Sequence, residues 1–175
     1  KEVEVESGIS IAELLKFLNS KGFMLKCVPG IKEITLGGAV ANNVHGKDSF
    51  INGFFSDQVK ELKYYSYETK QLITKTKSDA DFNLFFGSQG LFGYIYSLKI
   101  KIYQIKNCIK VKKIFFDNLD DLEEKKVLMK NYEYSYIFLN NFSRGLNFGS
   151  GYIELGSPIN FEIKNKIDIF KNIKV

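Results

Sequence analysis

Between Pro29 and Lys47 the chain reads Pro-Gly-Ile-Lys-Glu-Ile-Thr-Leu-Gly-Gly-Ala-Val-Ala-Asn-Asn-Val-His-Gly-Lys. A turn dipeptide, a glycine pair and a run of small residues leave room here for a turn and a short, closely packed helix. A glycine pair that opens a helix exposes backbone N–H groups and the positive end of the helix dipole, so Gly37 and Gly38 are expected to offer free amides to a pyrophosphate. The plain alternative is a tight strand-to-helix turn in which glycine supplies only conformational freedom, and the segment alone does not decide between them. His45, the single histidine, follows one short helix later and is placed to face whatever carries the anion. No metal-ligand partners accompany it, so it is otherwise a hydrogen-bonded structural residue and no metal site is expected. Lys47 reads either as a charge partner for a substrate or as an ordinary surface lysine.

The flanking sequence predicts short elements. Lys1 to Glu6 alternates charge and valine as a half-buried strand does. Ser10-Ile11-Ala12-Glu13 is a capping box opening a helix with Leu14, Leu15, Phe17 and Leu18 on its apolar stripe, and Gly22 ends it. Phe23 to Val28 reads as a strand. Val59 to Tyr67 and Gln71 to Lys75 read as a hairpin, Ser78 to Phe86 as a short helix, and Tyr94 to Tyr103 as a strand. The loop Gly87-Ser88-Gln89-Gly90-Leu91-Phe92-Gly93 is the second glycine-rich segment, suited to close backbone packing. Beyond a change of character near Gln104 to Asn107, Ile109 to Phe116 reads as a strand, Asn118 to Lys130 as a helix and Tyr132 to Asn140 as an aromatic strand. Ser143 to Leu155 reads as a glycine-broken strand pair, and Ile159 to Val175 as an apolar and lysine mixture without an end signal. Strands with few long helical crossovers argue for an α+β fold rather than a doubly wound parallel sheet.

Composition removes several function classes. Hydrophobic residues make up 45% of 175, enough for a packed core. Arg144 is the sole arginine among 25 basic residues, and nucleic-acid readers depend on arginine for bidentate contacts, so no nucleic-acid partner is expected. No apolar run reaches the length of a membrane-spanning helix, and no secretory leader is read at the start. Cys27 and Cys108 form no ligand spacing. Cys27 reads as a small buried hydrophobe, with a disulfide left open. No Ser/His/Asp or Cys/His nucleophile set can be assembled.

Taken in order, Pro29-Gly30, Thr35-Leu36-Gly37-Gly38-Ala39-Val40-Ala41, His45-Gly46-Lys47 and Gly90-Leu91-Phe92-Gly93-Tyr94-Ile95 resemble the FAD-linked oxidoreductases of the vanillyl-alcohol oxidase/p-cresol methylhydroxylase type. Within that family they look most like the decaprenylphosphoryl-ribose oxidase group. There the matching stretch runs P-G-T-x-x-V-T-V-G-G-A-I-A-x-D-I-H-G-K, followed by a G-N-G-L-T-G-I-I loop. Tyr132-Glu133-Tyr134-Ser135-Tyr136 and Ser143-Arg144-Gly145 resemble the start of that family's substrate domain. The resemblance implies that residues 1–105 are the second subdomain of an FAD-binding domain whose first subdomain lies upstream, and that residues 106–175 begin an α+β substrate domain. It implies FAD as cofactor. Gly30, Thr35, Leu36, Gly37 and Gly38 would line the pyrophosphate and ribityl chain, Asn42, Val44 and His45 would lie beside the isoalloxazine, and Ile95 near the adenine end. His45 and Lys47 would look toward the substrate.

The implied reaction is hydride transfer from a secondary alcohol of a sugar to the flavin. The substrate would be a small-molecule or polyprenyl-phosphate-linked sugar, with a partner reductase and a cytoplasmic or peripheral-membrane location. A sugar-lactone or alditol oxidase and a non-catalytic α+β binding module are the alternatives. Asp48-Ser49-Phe50 replaces that group's Asn-His-His, Ser88-Gln89 stands in its glycine loop, and Asn43 replaces an Asp. The family's R-G-x-G-x-S-Y-G loop and its C-terminal tyrosine and lysine are outside this sequence, so the chain reads as an internal piece that by itself holds FAD weakly.

Overall fold

A computed structural model describes residues 1–142 and 144–160. Four strands form the first sheet: β1 (Glu2–Glu6), β3 (Val59–Ser66), β4 (Leu72–Thr76) and β5 (Gly93–Lys101), in the order β1-β5-β3-β4. β5 is central because it pairs antiparallel with both β1 and β3. Two short strands, β2 (Phe23–Met24) and β6 (Tyr103–Gln104), pair beside it. A second sheet has the order β7 (Cys108–Phe116), β9 (Gly151–Ile159), β8 (Tyr134–Leu139). Every strand pair is antiparallel, and helices lie on the sheet faces, so helix and strand mix as an α+β chain does.

The first core is built on that sheet by α1 (Ile11–Ser20) and α2 (Leu36–Ala41). The capping box forms as the sequence predicts: Glu13 N–H donates to Ser10 Oγ at 3.2 Å and Ser10 N–H donates to Glu13 Oε2 at 3.0 Å. Ile11, Leu14 and Leu18 of α1 then pack with Leu36, Val40, Leu62 and Leu98. Phe17, expected on the apolar stripe, faces outward instead. Two four-residue helices, α3 (Ser49–Asn52) and α4 (Phe55–Gln58), link α2 to β3.

The second core is smaller. Phe116, Ile153 and Leu155 of one sheet face receive Leu122 and Met129 from α5 (Leu119–Lys125) and the 3₁₀ turn Lys126–Asn131 that continues it. Asn118 Oδ1 caps α5, accepting from Asp121 N–H at 2.9 Å.

Several sequence expectations need correction. The strand expected over Phe23 to Val28 stops at Met24, because Gln58 takes the place of a neighbouring strand. Its Oε1 accepts from Lys26 and Cys27 N–H, both at 3.2 Å, and its Nε2 donates to Cys27 O at 3.1 Å. The expected helix over Ser78 to Phe86 is a 3₁₀ turn at Phe82–Phe85, whose three-residue repeat buries Phe82 and Phe85 together. The helix expected to reach Lys130 tightens to 3₁₀ after Lys125. In place of a strand pair over Ser143 to Leu155 there is a 3₁₀ turn, Gly145–Asn147, and the single strand β9. A Cβ on Gly151 would lie 1.9 Å from Phe138 O, so glycine there lets β9 run between two neighbours rather than fold back. Ser143 and the tail beyond residue 160 lie outside the described residues. No helix among the described residues is long and apolar enough to cross a membrane.

Candidate functional site

The glycine pair forms a wall, although not by the means expected. Leu36 N–H donates to Ile9 O at 3.0 Å, Gly37 N–H to Ser7 O at 2.9 Å and Gly38 N–H to Thr35 Oγ1 at 3.2 Å. All three amides that open α2 are thus bonded inside the chain, and the expectation of free donors at Gly37-Gly38 is corrected. The turn between β1 and α1 lies against the helix start and supplies two of the acceptors. What the glycines provide is closeness: a Cβ on Gly37 would sit 3.3 Å from Ser7 Cβ, and one on Gly38 would sit 3.3 Å from Thr35 Oγ1.

The second glycine segment closes on the same helix. Gly87 N–H donates to Val40 O at 3.1 Å and Gln89 N–H to Ala41 O at 2.8 Å, so the loop satisfies carbonyls at the end of α2. Positive φ at Gly87, Gln89 and Gly90 lets the loop turn tightly enough to do this. At Gly93 a Cβ would lie 2.2 Å from Tyr65 O. The two segments and Ile95 meet on one groove of about 280 Å³, lined by Thr35, Gly37, Gly38, Gly90, Gly93 and Ile95.

Past α2 the chain turns into a second and larger space. Asn42 ends the helix, its Nδ2 donating to Gly38 O at 2.9 Å, and Val44 ties back through its N–H to Ala39 O at 3.1 Å. Val44 packs on the first core and the Leu36 side chain is fully buried, and Leu36, Asn42 and Val44 line neither the groove nor the cleft. Gly30, His45 and Lys47 then line a cleft of about 620 Å³ with Leu15, Tyr134 and Tyr136. The fold therefore divides the expected residues: Thr35, Gly37, Gly38 and Ile95 on the groove, Gly30, His45 and Lys47 on the cleft, with α2 between.

The cleft joins the two sheets. Ser135 N–H donates to Lys47 O at 2.7 Å, and Lys26 forms an ion pair with Glu133. Lys26 is thus neutralised. Lys47 is not: no carboxylate among the described residues lies within ion-pair distance, and its Nζ rests 4.2 Å above the Tyr136 ring. His45 is exposed and meets Phe54 edge-on at 6.0 Å.

Asp48 is the chemically unusual group. It is 1% exposed and its Oδ2 has no hydrogen-bond partner. Burial, then the nearby Glu133, pushes its carboxyl up to about 6, against the opposing pull of its own backbone N–H and, less, of Lys26. Asn52 Nδ2 and Ser135 Oγ, on α3 and on the β8 strand it packs against, are also buried without partners. Cys27 next to it is buried and free, its thiol pushed up to about 12 by burial and by Asp48.

Asp48, Gly46 and the inward pair Tyr134/Tyr136 were not picked out as site residues from the sequence. The two-residue spacing of Tyr134 and Tyr136, which puts both on one strand face, was the available signal. Gly46 has a steric reason: a Cβ there would lie 2.4 Å from Val28 O and 2.6 Å from Asp48 Oδ1.

A groove lined by small residues on the flank of α2 and a separate cleft holding Lys47, which has no carboxylate partner among the described residues, are the two spaces in which the expected residues gather. Residues 1–73 match the FAD binding domain family, and FAD is the cofactor this segment serves. The chain is 31% identical over 105 residues to decaprenylphosphoryl-beta-D-ribose oxidase of Mycolicibacterium smegmatis, a match covering 57% of this chain and 22% of that protein. It is 29% identical over 125 residues to a D-lactate dehydrogenase of Anaerostipes hadrus, covering 68% of this chain and 26% of that one. With the mitochondrial cytochrome-type D-lactate dehydrogenase of Kluyveromyces lactis it shares 28% identity over 108 residues, 58% of this chain and 19% of that one. The chain thus spans about a quarter or less of the length of these relatives, which are FAD-linked oxidoreductases.

Proposed function

We propose that the chain is part of an FAD-dependent oxidoreductase that removes hydride from a secondary alcohol on a substrate carrying an anionic group. Residues 1–105 would be the second subdomain of its FAD-binding domain, and residues from 106 onward would begin its substrate domain. The observation that carries this reading is Lys47: a cation without a carboxylate partner among the described residues, in the wall of a cleft separate from the glycine-lined groove.

The residues fit one side of FAD. Gly37, Gly38 and Gly93 let the segments that line the groove pack closely on one another, since a Cβ would crowd Ser7, Thr35 or Tyr65, and the groove they line would take an extended ligand. Because the amides of Gly37 and Gly38 are bonded internally, this wall contributes shape more than charge, and neutralisation of the pyrophosphate falls to groups elsewhere. When bound, FAD supplies the hydride acceptor. The chain's own part is to orient. Lys47 would hold the substrate's anion, His45 would stand beside the reacting alcohol, and Leu15, Met24 and Ile109 would exclude water from the cleft.

The names of the relatives support this chemistry, since a phosphoryl-linked ribose and D-lactate both pair a secondary hydroxyl with an anion. A lipid-phosphate-linked sugar is the first substrate class on the 31% match; a small 2-hydroxy acid is the second, favoured by the two D-lactate dehydrogenases. The test is anaerobic reduction of the complete protein's flavin. Bleaching by a polyprenyl-phosphate-linked ribose or by D-lactate supports the reading and chooses between the classes. Bleaching by uncharged alditols alone would overturn it.

A further inference from the structure

The cleft beside Lys47 continues into a second hollow of about 190 Å³ that shares Lys47, Ile109, Tyr134 and Tyr136 with it. Lys47 therefore stands at the junction of two spaces rather than at the rim of one. A lysine has four rotatable side-chain bonds and loses much freedom when fixed, so something must hold the ammonium there. Two contacts do. The main chain is pinned by Ser135 N–H, and Nζ lies over the ring of Tyr136, the next residue along the same strand.

The ring itself is held by a cross-strand row. Register places Tyr136 opposite Glu154 and Glu154 opposite Lys113, so the three run across β8, β9 and β7 on one face. Lys113 Nζ is 3.5 Å from the Glu154 carboxylate and 4.1 Å from the Tyr152 ring, and Tyr152 stands in the next row opposite Phe138. Burial and hydrogen bonding with Tyr152 and Glu154 push the Tyr136 phenol up to about 12. Glu154 is thereby engaged with Lys113 and Tyr136, and does not neutralise Lys47.

We propose that Tyr136 is a positioning residue for Lys47: its ring fixes the ammonium at the junction of the two hollows, and Lys113 engages the Glu154 carboxylate that lines the smaller one, so that the Lys47 charge stays available to a carboxylate or phosphate of the substrate. This rests on the reading of Lys47 as the substrate's anion partner. A π face suits the task because it attracts the ammonium without the proton-accepting, charge-cancelling chemistry of a carboxylate.

The test uses the full chain with its lysines dimethylated by carbon-13 formaldehyde, which keeps their charge, and titrated with oxalate as a simple dianion. The Lys47 resonance, assigned by its loss in Lys47→Arg, is expected upfield of the other lysines through the Tyr136 ring current. Oxalate is expected to move it saturably. Tyr136→Leu should return the resonance to the position of the other lysines and weaken oxalate binding about three- to fivefold. Tyr136→Phe, which keeps the ring, should restore both. A wild-type Lys47 resonance among the bulk lysines, no saturable oxalate shift, or unchanged oxalate affinity in Tyr136→Leu would each overturn the proposal. Loss of the flavin reading is seen separately, as missing flavin absorbance, and leaves these resonances unaffected.

Discussion

Gln58 brackets Cys27, accepting from its N–H at 3.2 Å and donating to its carbonyl at 3.1 Å. A single buried side chain thereby completes the backbone bonding that the strand ahead of the cleft would otherwise need from a neighbour. Replacing Gln58 with Leu should strand these groups without water and cost about 2–4 kcal/mol. Urea unfolding of the two proteins side by side measures this.

Gly46 sets the turn that carries His45 and Lys47. Gly46→Ala would drive a Cβ into Val28 O and the Asp48 carboxylate, at a cost of about 1–3 kcal/mol. The same substitution at Gly30, whose Cβ would meet nothing within 4 Å, should leave the unfolding midpoint nearly unchanged. Comparison of the two midpoints separates steric need from loop flexibility.

Asp48 gives stability a distinctive dependence on pH. Its carboxyl is raised in the folded chain from the usual 3.8 to about 6, so between these values the folded state binds more protons than the unfolded one. Stability from this group therefore falls as pH rises through that window; the penalty is complete above it and absent below it. Asp48→Asn should gain about 1–3 kcal/mol at neutral pH and nothing near pH 4. Denaturant titrations at both pH values, with Glu133→Gln as a variant that lowers the Asp48 value, measure the effect.

The two cysteines should differ in reactivity. Cys27 is 1% exposed with its thiol pushed up to about 12, whereas Cys108 is only half-buried. At mildly alkaline pH an aromatic disulfide reagent should label Cys108 and spare Cys27 until the chain is unfolded. Counting labelled thiols by mass before and after denaturant checks this.

The parts of the fold legible in the sequence are those with local causes. Ser10 and Glu13 cap α1 because the motif satisfies its own amides, and the β3–β4 hairpin and the alternation in β5 follow from period-two patterning. The grouping of Gly37 and Gly38 with Gly90 was legible only through resemblance, since nothing local says that a loop fifty residues on will bond the end of α2. Elements decided by distant partners were misread. Phe23 to Val28 has strand composition, but a glutamine side chain supplies its pairing. The glycines around Gly151 look like breaks, yet they let one strand pass between two others. Asp48 stayed hidden because burial of a carboxyl is a tertiary fact, produced by β8 closing over α3, with no signature in the residues beside it.

The central claim is that this segment builds one wall of an FAD site. The most direct measurement is the visible spectrum of the complete protein purified in wild-type form and as Gly93→Val, a change that drives side-chain atoms into Tyr65 O where β5 pairs with β3 beside the groove. The wild-type protein should show flavin bands at close to one FAD per chain, and a folded Gly93→Val protein should lose most of them. A folded wild-type protein without flavin absorbance would contradict the claim.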